Sequence, residues 1–184
     1  DAEGKFIYRR EHHLFRLMRA EQQALYEELK MQLDRLIGSG IRPTHLDSHH
    51  HVHTEWAVAP IVRQLCKENS IERIRLTRNM GPSDGYVKNV YKKIFNRWQL
   101  GRHSGLWSTD FFGDIEDLQF LLNTKLPLKG KFIEIMVHPL LNERNELVDI
   151  DQRNLQEKLG VLLAVKNLRT SGILSPGASP GVQL

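Results

Sequence analysis

The stretch that decides how this sequence is interpreted is residues 44–53, which reads Thr44-His45-Leu46-Asp47-Ser48-His49-His50-His51-Val52-His53. It contains five of the nine histidines of the 184-residue chain. We predict a short strand over residues 44–48 and a helix from about residue 55 to residue 68. The histidines then follow a strand and precede a helix, where proteins of alternating strands and helices place their functional sites.

Two backbone conformations of this stretch bring histidines together. In an extended segment, alternation would place one set of side chains on a single face: His45, Asp47, His49, His51 and His53. In a helix, His49 and His53 would share a face because they are four residues apart. Imidazole and carboxylate groups are the ligands that zinc and similar divalent ions prefer, although not all of these histidines can bind one ion. The alternatives are a histidine-rich surface loop or a purification tag. Because the run is internal and interrupted by Val52, we favour a metal site.

The flanking sequence predicts the fold class. Apolar residues at steps of three and four predict a helix over about residues 10–37, which Gly38-Ser39-Gly40 ends. We predict further strands over residues 71–77, 106–112 and 132–137. Helices are predicted up to about residue 97, over 114–123 with Asp114 as N-cap, and over 151–168, with a polar loop at 142–150. This alternation predicts a mostly parallel α/β sheet or barrel. We assign residues 1–174 to one domain and 175–184, rich in Gly, Pro and Ser, to a flexible tail.

Composition and charge exclude several classes of protein. The net charge of +4 is too small to indicate a nucleic-acid partner, and we interpret the basic segment 88–97 as an amphipathic surface helix. No apolar run is long enough to predict a membrane span, and no secretion signal is recognisable. The single cysteine, Cys66, is compatible with a reducing cytoplasm, which is the location we expect.

Three further segments carry candidate functional residues. His138 follows the predicted apolar strand 132–137, a position suited to general acid–base chemistry or, alternatively, to a structural backbone hydrogen bond. Trp107 and Asp110 lie in an aromatic segment that suits sugar recognition, although a core strand with a capping acid explains it equally simply. Arg75 and Arg78, near the end of strand 71–77, could hold an acidic or hydroxylated ligand or face solvent.

Taken in order, these segments resemble the YdjC-like carbohydrate deacetylases. The resemblance rests on residues 44–53, on the lead-in 40–44, on the Arg75 and Arg78 strand, on 107–113 and on Met136-Val137-His138-Pro139. It implies a deformed (β/α) barrel of the polysaccharide-deacetylase type. It also implies one divalent ion, usually magnesium although zinc suits the ligands as well, which activates water against the N-acetyl carbonyl of an amino sugar. The expected partner is therefore an N-acetylated amino sugar or oligosaccharide, with no nucleic acid and no membrane.

The resemblance also assigns roles to individual residues. His49 matches the metal-binding histidine of the family motif, and His53 is a second metal candidate. His138 is expected to protonate the leaving amine. The expected substrate contacts are Asp47, Arg75, Arg78, Trp107 and Asp110.

One departure from the family pattern lies at the start of the chain. Family members open with a strand that ends in an Asn-Ala-Asp-Asp-Phe-Gly type motif, which supplies the catalytic acid, followed by a Gly-x-His segment. Neither occurs here, so the barrel is expected to miss its first strands. A fragment, a truncated gene model and a degenerate paralogue each explain this departure, and each questions activity of the chain alone. Open strand edges also predict poor solubility or association with further copies. Alternative functions are a metal-dependent phosphoesterase-like hydrolase and a noncatalytic basic binding module.

Overall fold

The computed structural model describes residues 17–81, 86–100, 104–151, 153–164, 169–171 and 181–183. They fall into two compact units, where the sequence predicted one domain. The first unit draws on Asp1–Thr77 and Val90–Ser108, and the second on Arg78–Asn89 and Thr109–Leu184. Residues 10–16 and 165–168, at the ends of two predicted helices, lie outside the described residues.

The first unit contains two helices that precede short parallel strands. Its elements are α1 (Arg19–Gly38), β1 (His45–Leu46), a 3-10 segment (His49–Thr54), α2 (Ala59–Glu68), β2 (Arg73–Ile74) and a π-helical segment (Asn96–Leu100). Helix α3 (Tyr86–Phe95) takes residues from both units. Strands β1 and β2 pair in parallel, with His45 opposite Arg73 and Leu46 opposite Ile74. This confirms the two predicted strands in shortened form.

The core of the first unit forms around α2 because one face of this helix is apolar. Its buried residues are Ala59, Ile61, Val62, Leu65 and Cys66. Phe95 and Leu100 from the following segment are fully buried. Helix α2 begins four residues later than predicted, because the 3-10 segment and a turn occupy residues 49–58. Residues 49–53, the His segment, are thereby fixed between β1 and a well-packed helix.

The second unit contains a mixed sheet and a hairpin. Its elements are β3 (Phe111–Gly113), α4 (Ile115–Leu122), β4 (Phe132–Ile135), β5 (Leu140–Leu141), β6 (Leu147–Val148), α5 (Leu155–Ala164), β7 (Arg169–Ser171) and β8 (Gly181–Gln183). Strands β3 and β4 are parallel, whereas β8 lies antiparallel between β4 and β7. Met80, Leu118, Leu121 and Ile133 form the buried core of this sheet and α4. Asp114 caps α4 as predicted, accepting a hydrogen bond from the Asp117 N–H at 2.8 Å.

Two predictions differ from the structure in this unit. The predicted polar loop 142–150 contains β6, which pairs with β5 as an antiparallel hairpin. The turn closes because Asn145 adopts a left-handed conformation (φ 58°) and the Asn142 side chain accepts two backbone N–H groups. The predicted flexible tail, residues 175–184, contains β8, which pairs with β4. Strand pairing uses backbone groups, so it does not require an apolar side-chain pattern.

The described strands do not close into a barrel. They form three separate sheets of two, four and two strands, with antiparallel as well as parallel pairs. The α/β class is therefore confirmed, whereas the predicted mostly parallel arrangement is replaced here by a mixed one. None of the helices in the described part of the chain has the length and apolar character needed to cross a membrane.

Candidate functional site

The His segment, residues 49–53, is neither extended nor α-helical. It forms 3-10 turns in which His50 (φ 52°, ψ 20°) and His51 (φ 56°, ψ 32°) both adopt left-handed conformations. For residues with a Cβ atom, this conformation costs about 1–2 kcal/mol each. Hydrogen bonds hold the turn: the His51 N–H donates to the Ser48 carbonyl at 3.0 Å, and the Thr54 hydroxyl donates to the His51 carbonyl at 2.7 Å. Backbone strain of this kind is typical of functional sites.

His53 is the buried anchor of the segment. Its side chain is fully buried, with Nδ1 2.8 Å from the Ser48 hydroxyl oxygen and Nε2 3.1 Å from the Arg75 carbonyl oxygen. Because a carbonyl only accepts, Nε2 carries the proton and Nδ1 accepts from Ser48. Burial lowers the pKa of His53 from 6.5 to about 4, so the ring is neutral near pH 7. Both ring nitrogens are engaged, so His53 could bind an ion only by giving up one of these bonds.

His49 presents the opposite environment. It is exposed, and its ring lies edge-on to that of His50 at a centroid distance of 4.1 Å. It is therefore accessible to an ion or a substrate. The rings of His51 and His53 lie farther apart, at 6.4 Å. The turn separates the histidines by environment and does not align them on one face, as either predicted conformation would.

The donors near His49 can be tested against a metal ion. In the residues that the structure describes, no group of three or more His, Cys, Asp or Glu side chains is arranged to hold one. The nearest carboxylate in sequence, Asp47, forms an ion pair with the Arg75 guanidinium. His49 fits as one imidazole ligand, but this part of the chain does not complete a metal-binding set.

Two predicted substrate residues of the first unit lie next to β2. Arg75 follows β2, and its backbone N–H donates to the Leu46 carbonyl of β1 at 3.2 Å. Trp107 extends this small sheet: its carbonyl accepts from the Ile74 N–H at 3.0 Å, and the Arg73 guanidinium lies 5.7 Å from its ring centroid. Arg73 therefore covers part of the ring that was predicted to stack on a sugar.

Arg78, in the second unit, is bound by two carboxylates. It forms ion pairs with Asp114 and with the buried Asp117. Two glycines make room for Asp117: a Cβ atom at Gly81 or at Gly113 would lie 1.9 Å or 2.3 Å from its carboxylate oxygens. Arg78 was predicted to hold a ligand, and its half-exposed side chain is instead fixed by neighbouring acids.

Asp110 and His138 lie at opposite ends of the parallel strands β3 and β4. Asp110 precedes β3 and binds the start of β4, accepting from the Lys131 ammonium and the Phe132 N–H, both at 2.9 Å. His138 follows the carboxyl end of β4, and its N–H donates to Asp149 at 2.9 Å. Because β3 and β4 are parallel, the structure does not bring these two predicted site residues together.

Sequence reasoning missed Asp149 and its partner Lys158. Both side chains are more than 90% buried, and the Lys158 ammonium lies 2.8 Å from the Asp149 carboxylate. The available signal was the pair of apolar dipeptides, 140–141 and 147–148, on either side of a polar turn. Such a pattern indicates a hairpin, which returns residue 149 to the level of His138.

Most of this chain is similar to known proteins. The model of the YdjC-like protein family matches residues 1–169. This chain belongs to the YdjC-like family. A carbohydrate deacetylase of Brevibacillus brevis is 41% identical over 140 residues, which are 76% of this chain and 50% of that protein. A carbohydrate deacetylase of Geobacillus stearothermophilus is 45% identical over 123 residues (67% and 44%).

A more distant relative carries a more specific name. A chitooligosaccharide deacetylase of Klebsiella pneumoniae subsp. pneumoniae is 29% identical over 126 residues, which are 66% of this chain and 46% of that protein. The chain spans about half the length of these relatives. No solved structure gives a significant match. The predicted resemblance to the YdjC-like deacetylases is therefore confirmed.

Proposed function

We propose that this chain belongs to an enzyme that removes N-acetyl groups from amino sugars such as chitooligosaccharides. The relatives named carbohydrate deacetylase and chitooligosaccharide deacetylase support this activity. The observation that carries it is the strained turn after β1, which exposes His49 while it buries His53. A cytoplasmic location and association between copies remain predictions from the sequence.

His49 is proposed as one ligand of a divalent ion, magnesium or zinc. The remaining ligands are not identified among the described residues, because no group of three or more His, Cys, Asp or Glu side chains there is arranged to bind an ion. When bound, such an ion polarises an amide carbonyl and makes water a better nucleophile. His53 supports this role indirectly, because its two hydrogen bonds fix the turn that carries His49.

His138 is proposed to protonate the amine that leaves when the amide bond is cleaved. Its side chain is 47% exposed at the carboxyl end of β4, so its ring can reach a substrate. Among the proposed substrate contacts, Arg75 and Asp47 form an ion pair beside the His segment, and Trp107 lies next to β2. Arg78 remains half exposed, whereas the position of Asp110 does not support a role beside His138.

The phosphoesterase alternative receives no support from the arginines that suggested it. Arg75 pairs with Asp47, and Arg78 pairs with Asp114 and Asp117. Carboxylates at these guanidinium groups compete with a phosphate for the same donors. The deacetylase proposal therefore stands without a second candidate.

The test combines activity with metal content. We expect the protein to release acetate from an N-acetylated chitooligosaccharide. We expect no hydrolysis of a phosphoester substrate. His49→Ala should bind less metal than the unchanged protein, whereas His50→Ala, which removes the neighbouring exposed ring, should bind as much. Phosphoester cleavage without acetate release would overturn the proposed reaction. Equal metal content in both variants would overturn the role of His49.

A further inference from the structure

The hairpin β5–β6 brings a buried carboxylate against His138. One oxygen of Asp149, Oδ1, accepts hydrogen bonds from two backbone groups, the N–H of His138 at 2.9 Å and the N–H of Ile150 at 2.8 Å. The same oxygen lies 3.8 Å from Nδ1 of the His138 ring. This distance is too long for a hydrogen bond, but catalytic hydrogen bonds often tighten only when substrate binds. Nδ1 therefore faces the carboxylate, and Nε2 is the ring nitrogen left for a substrate.

The charge of Asp149 is maintained by a cluster behind it. The second oxygen, Oδ2, lies 2.8 Å from the Lys158 ammonium, which also contacts Asp151 at 2.9 Å and Glu116 at 3.4 Å. Arg153 contacts the same two acids. Burial acts to raise the pKa of the Asp149 carboxyl, but the hydrogen bonds from Lys158, Ile150 and His138 outweigh it and hold this pKa below its usual value.

The cluster carries one more negative than positive charge. Its three carboxylates are Glu116, Asp149 and Asp151, and its two cations are Arg153 and Lys158. Asp149 is the member of this cluster that contacts His138.

We propose that Asp149, held by Lys158, is a positioning residue that keeps Nδ1 of His138 protonated and turned inward, so that Nε2 transfers the proton. This inference rests on the role proposed above for His138. In the step, the carbon–nitrogen bond of the tetrahedral intermediate breaks and its electron pair goes to the nitrogen. That nitrogen takes the proton of Nε2, and the neutral ring retains its proton on Nδ1 beside Asp149.

The tautomer of neutral His138 tests this directly, without any reaction. In protein labelled with nitrogen-15 on histidine, NMR of the 184-residue chain should show the Nδ1–H tautomer at His138. Asp149→Asn should shift the ring toward the Nε2–H tautomer, because an amide does not enforce the correct one. The matched control is Asp151→Asn, which also loses a contact to Lys158 but should leave the tautomer unchanged. An Nε2–H tautomer in the unchanged protein would overturn the proposal, even if the variant did not fold.

Kinetics separate this proposal from the proposed function. In a preparation that deacetylates, Asp149→Asn should lower kcat about 10- to 100-fold with little change in KM, whereas Asp151→Asn should not. Full activity of His138→Ala would overturn the role of His138 while leaving the tautomer result intact. A folded Asp149→Asn variant with unchanged kcat and unchanged tautomer would overturn the positioning role alone.

Discussion

His53 in the first unit is held by hydrogen bonds of its ring, and His138 in the second by a hydrogen bond of its backbone N–H; the partners also differ in charge. His53 is fully buried between a hydroxyl and a carbonyl, and neither partner carries a formal charge. His138 is half exposed; its backbone N–H donates to an ionised carboxylate, which a buried lysine supports, and its ring faces the same carboxylate. One ring is held neutral by burial, and the other faces a buried carboxylate at one of its nitrogens.

This difference indicates different uses of the same side chain. A neutral, desolvated imidazole with both nitrogens engaged is a structural support, here for the strained turn of His50 and His51. An exposed imidazole that faces a carboxylate on one nitrogen can exchange a proton through the other. Charged partners also surround Arg78, whose guanidinium pairs with two carboxylates while the side chain stays half exposed.

The largest effect that we expect is a loss of stability as His53 becomes protonated. Its pKa is about 4 in the folded chain and 6.5 when exposed, so the unfolded state binds this proton first. The contribution is complete above pH 6.5, declines as the pH falls, and is lost by about pH 4. The total loss is about 3 kcal/mol in the free energy of unfolding. Urea titrations at several pH values between 7 and 4 measure it.

The matched control is His53→Gln, whose amide can still hydrogen-bond to both neighbours but does not titrate. This variant should be less stable at pH 7 and should show a flatter dependence between pH 6.5 and pH 4. If the unchanged protein and the variant have the same pH dependence, His53 is not buried in a neutral form.

A smaller loss is expected when the carboxylate packing of the second unit is disturbed. In Gly113→Ala, the new Cβ would lie 2.3 Å from Oδ2 of Asp117 and 2.8 Å from the methyl carbon of Met80. The methionine can move, but Asp117 is held by Arg78 and by the Asp114 N–H. We expect a loss of about 2 kcal/mol, within the usual range for overpacked cores. Thermal unfolding measures it.

Gly160→Ala is the control for this change in the same unit. Gly160 lies in α5 and nothing is within 4 Å of an added Cβ, so alanine should stabilise the helix by up to about 1 kcal/mol. A Gly113→Ala variant as stable as the original protein would show that Asp117 is not confined as described.

The sequence predicts the elements that its local patterns specify. Helix α2 and strand β4 are amphipathic or apolar runs, and Asp114 is a capping residue directly before an apolar helix, so each was predictable. Strand β8 was not, because a Gly-Val-Gln segment has no periodicity and is specified only by the neighbours with which it pairs. Propensity alone does not encode such a partner.

The candidate site was predictable in its chemistry but not in its geometry. The histidine content of residues 44–53 identified the segment, and His138 was recognised from its position after β4. Period-based reasoning considered only extended and helical backbones, so it could not anticipate two left-handed residues at His50 and His51. It also did not identify Asp149, which lies eleven residues after His138 and is brought back to it by a hairpin.

The smallest effect that we expect comes from relieving the strained turn. His50 has φ 52°, a conformation that costs residues with a Cβ atom about 1–2 kcal/mol and that glycine adopts freely. His50→Gly should therefore stabilise the chain by up to about 1 kcal/mol, since the greater freedom of glycine in the unfolded state offsets part of the gain. His49→Gly is the control, because His49 has no positive φ and should lose about 0.5–1 kcal/mol. Both are measured by urea unfolding with a chelator present, so that metal binding does not contribute. If His50→Gly destabilises the chain as much as His49→Gly does, the turn that exposes His49 is not strained. The His segment and the surroundings of His138 would then differ in charge alone.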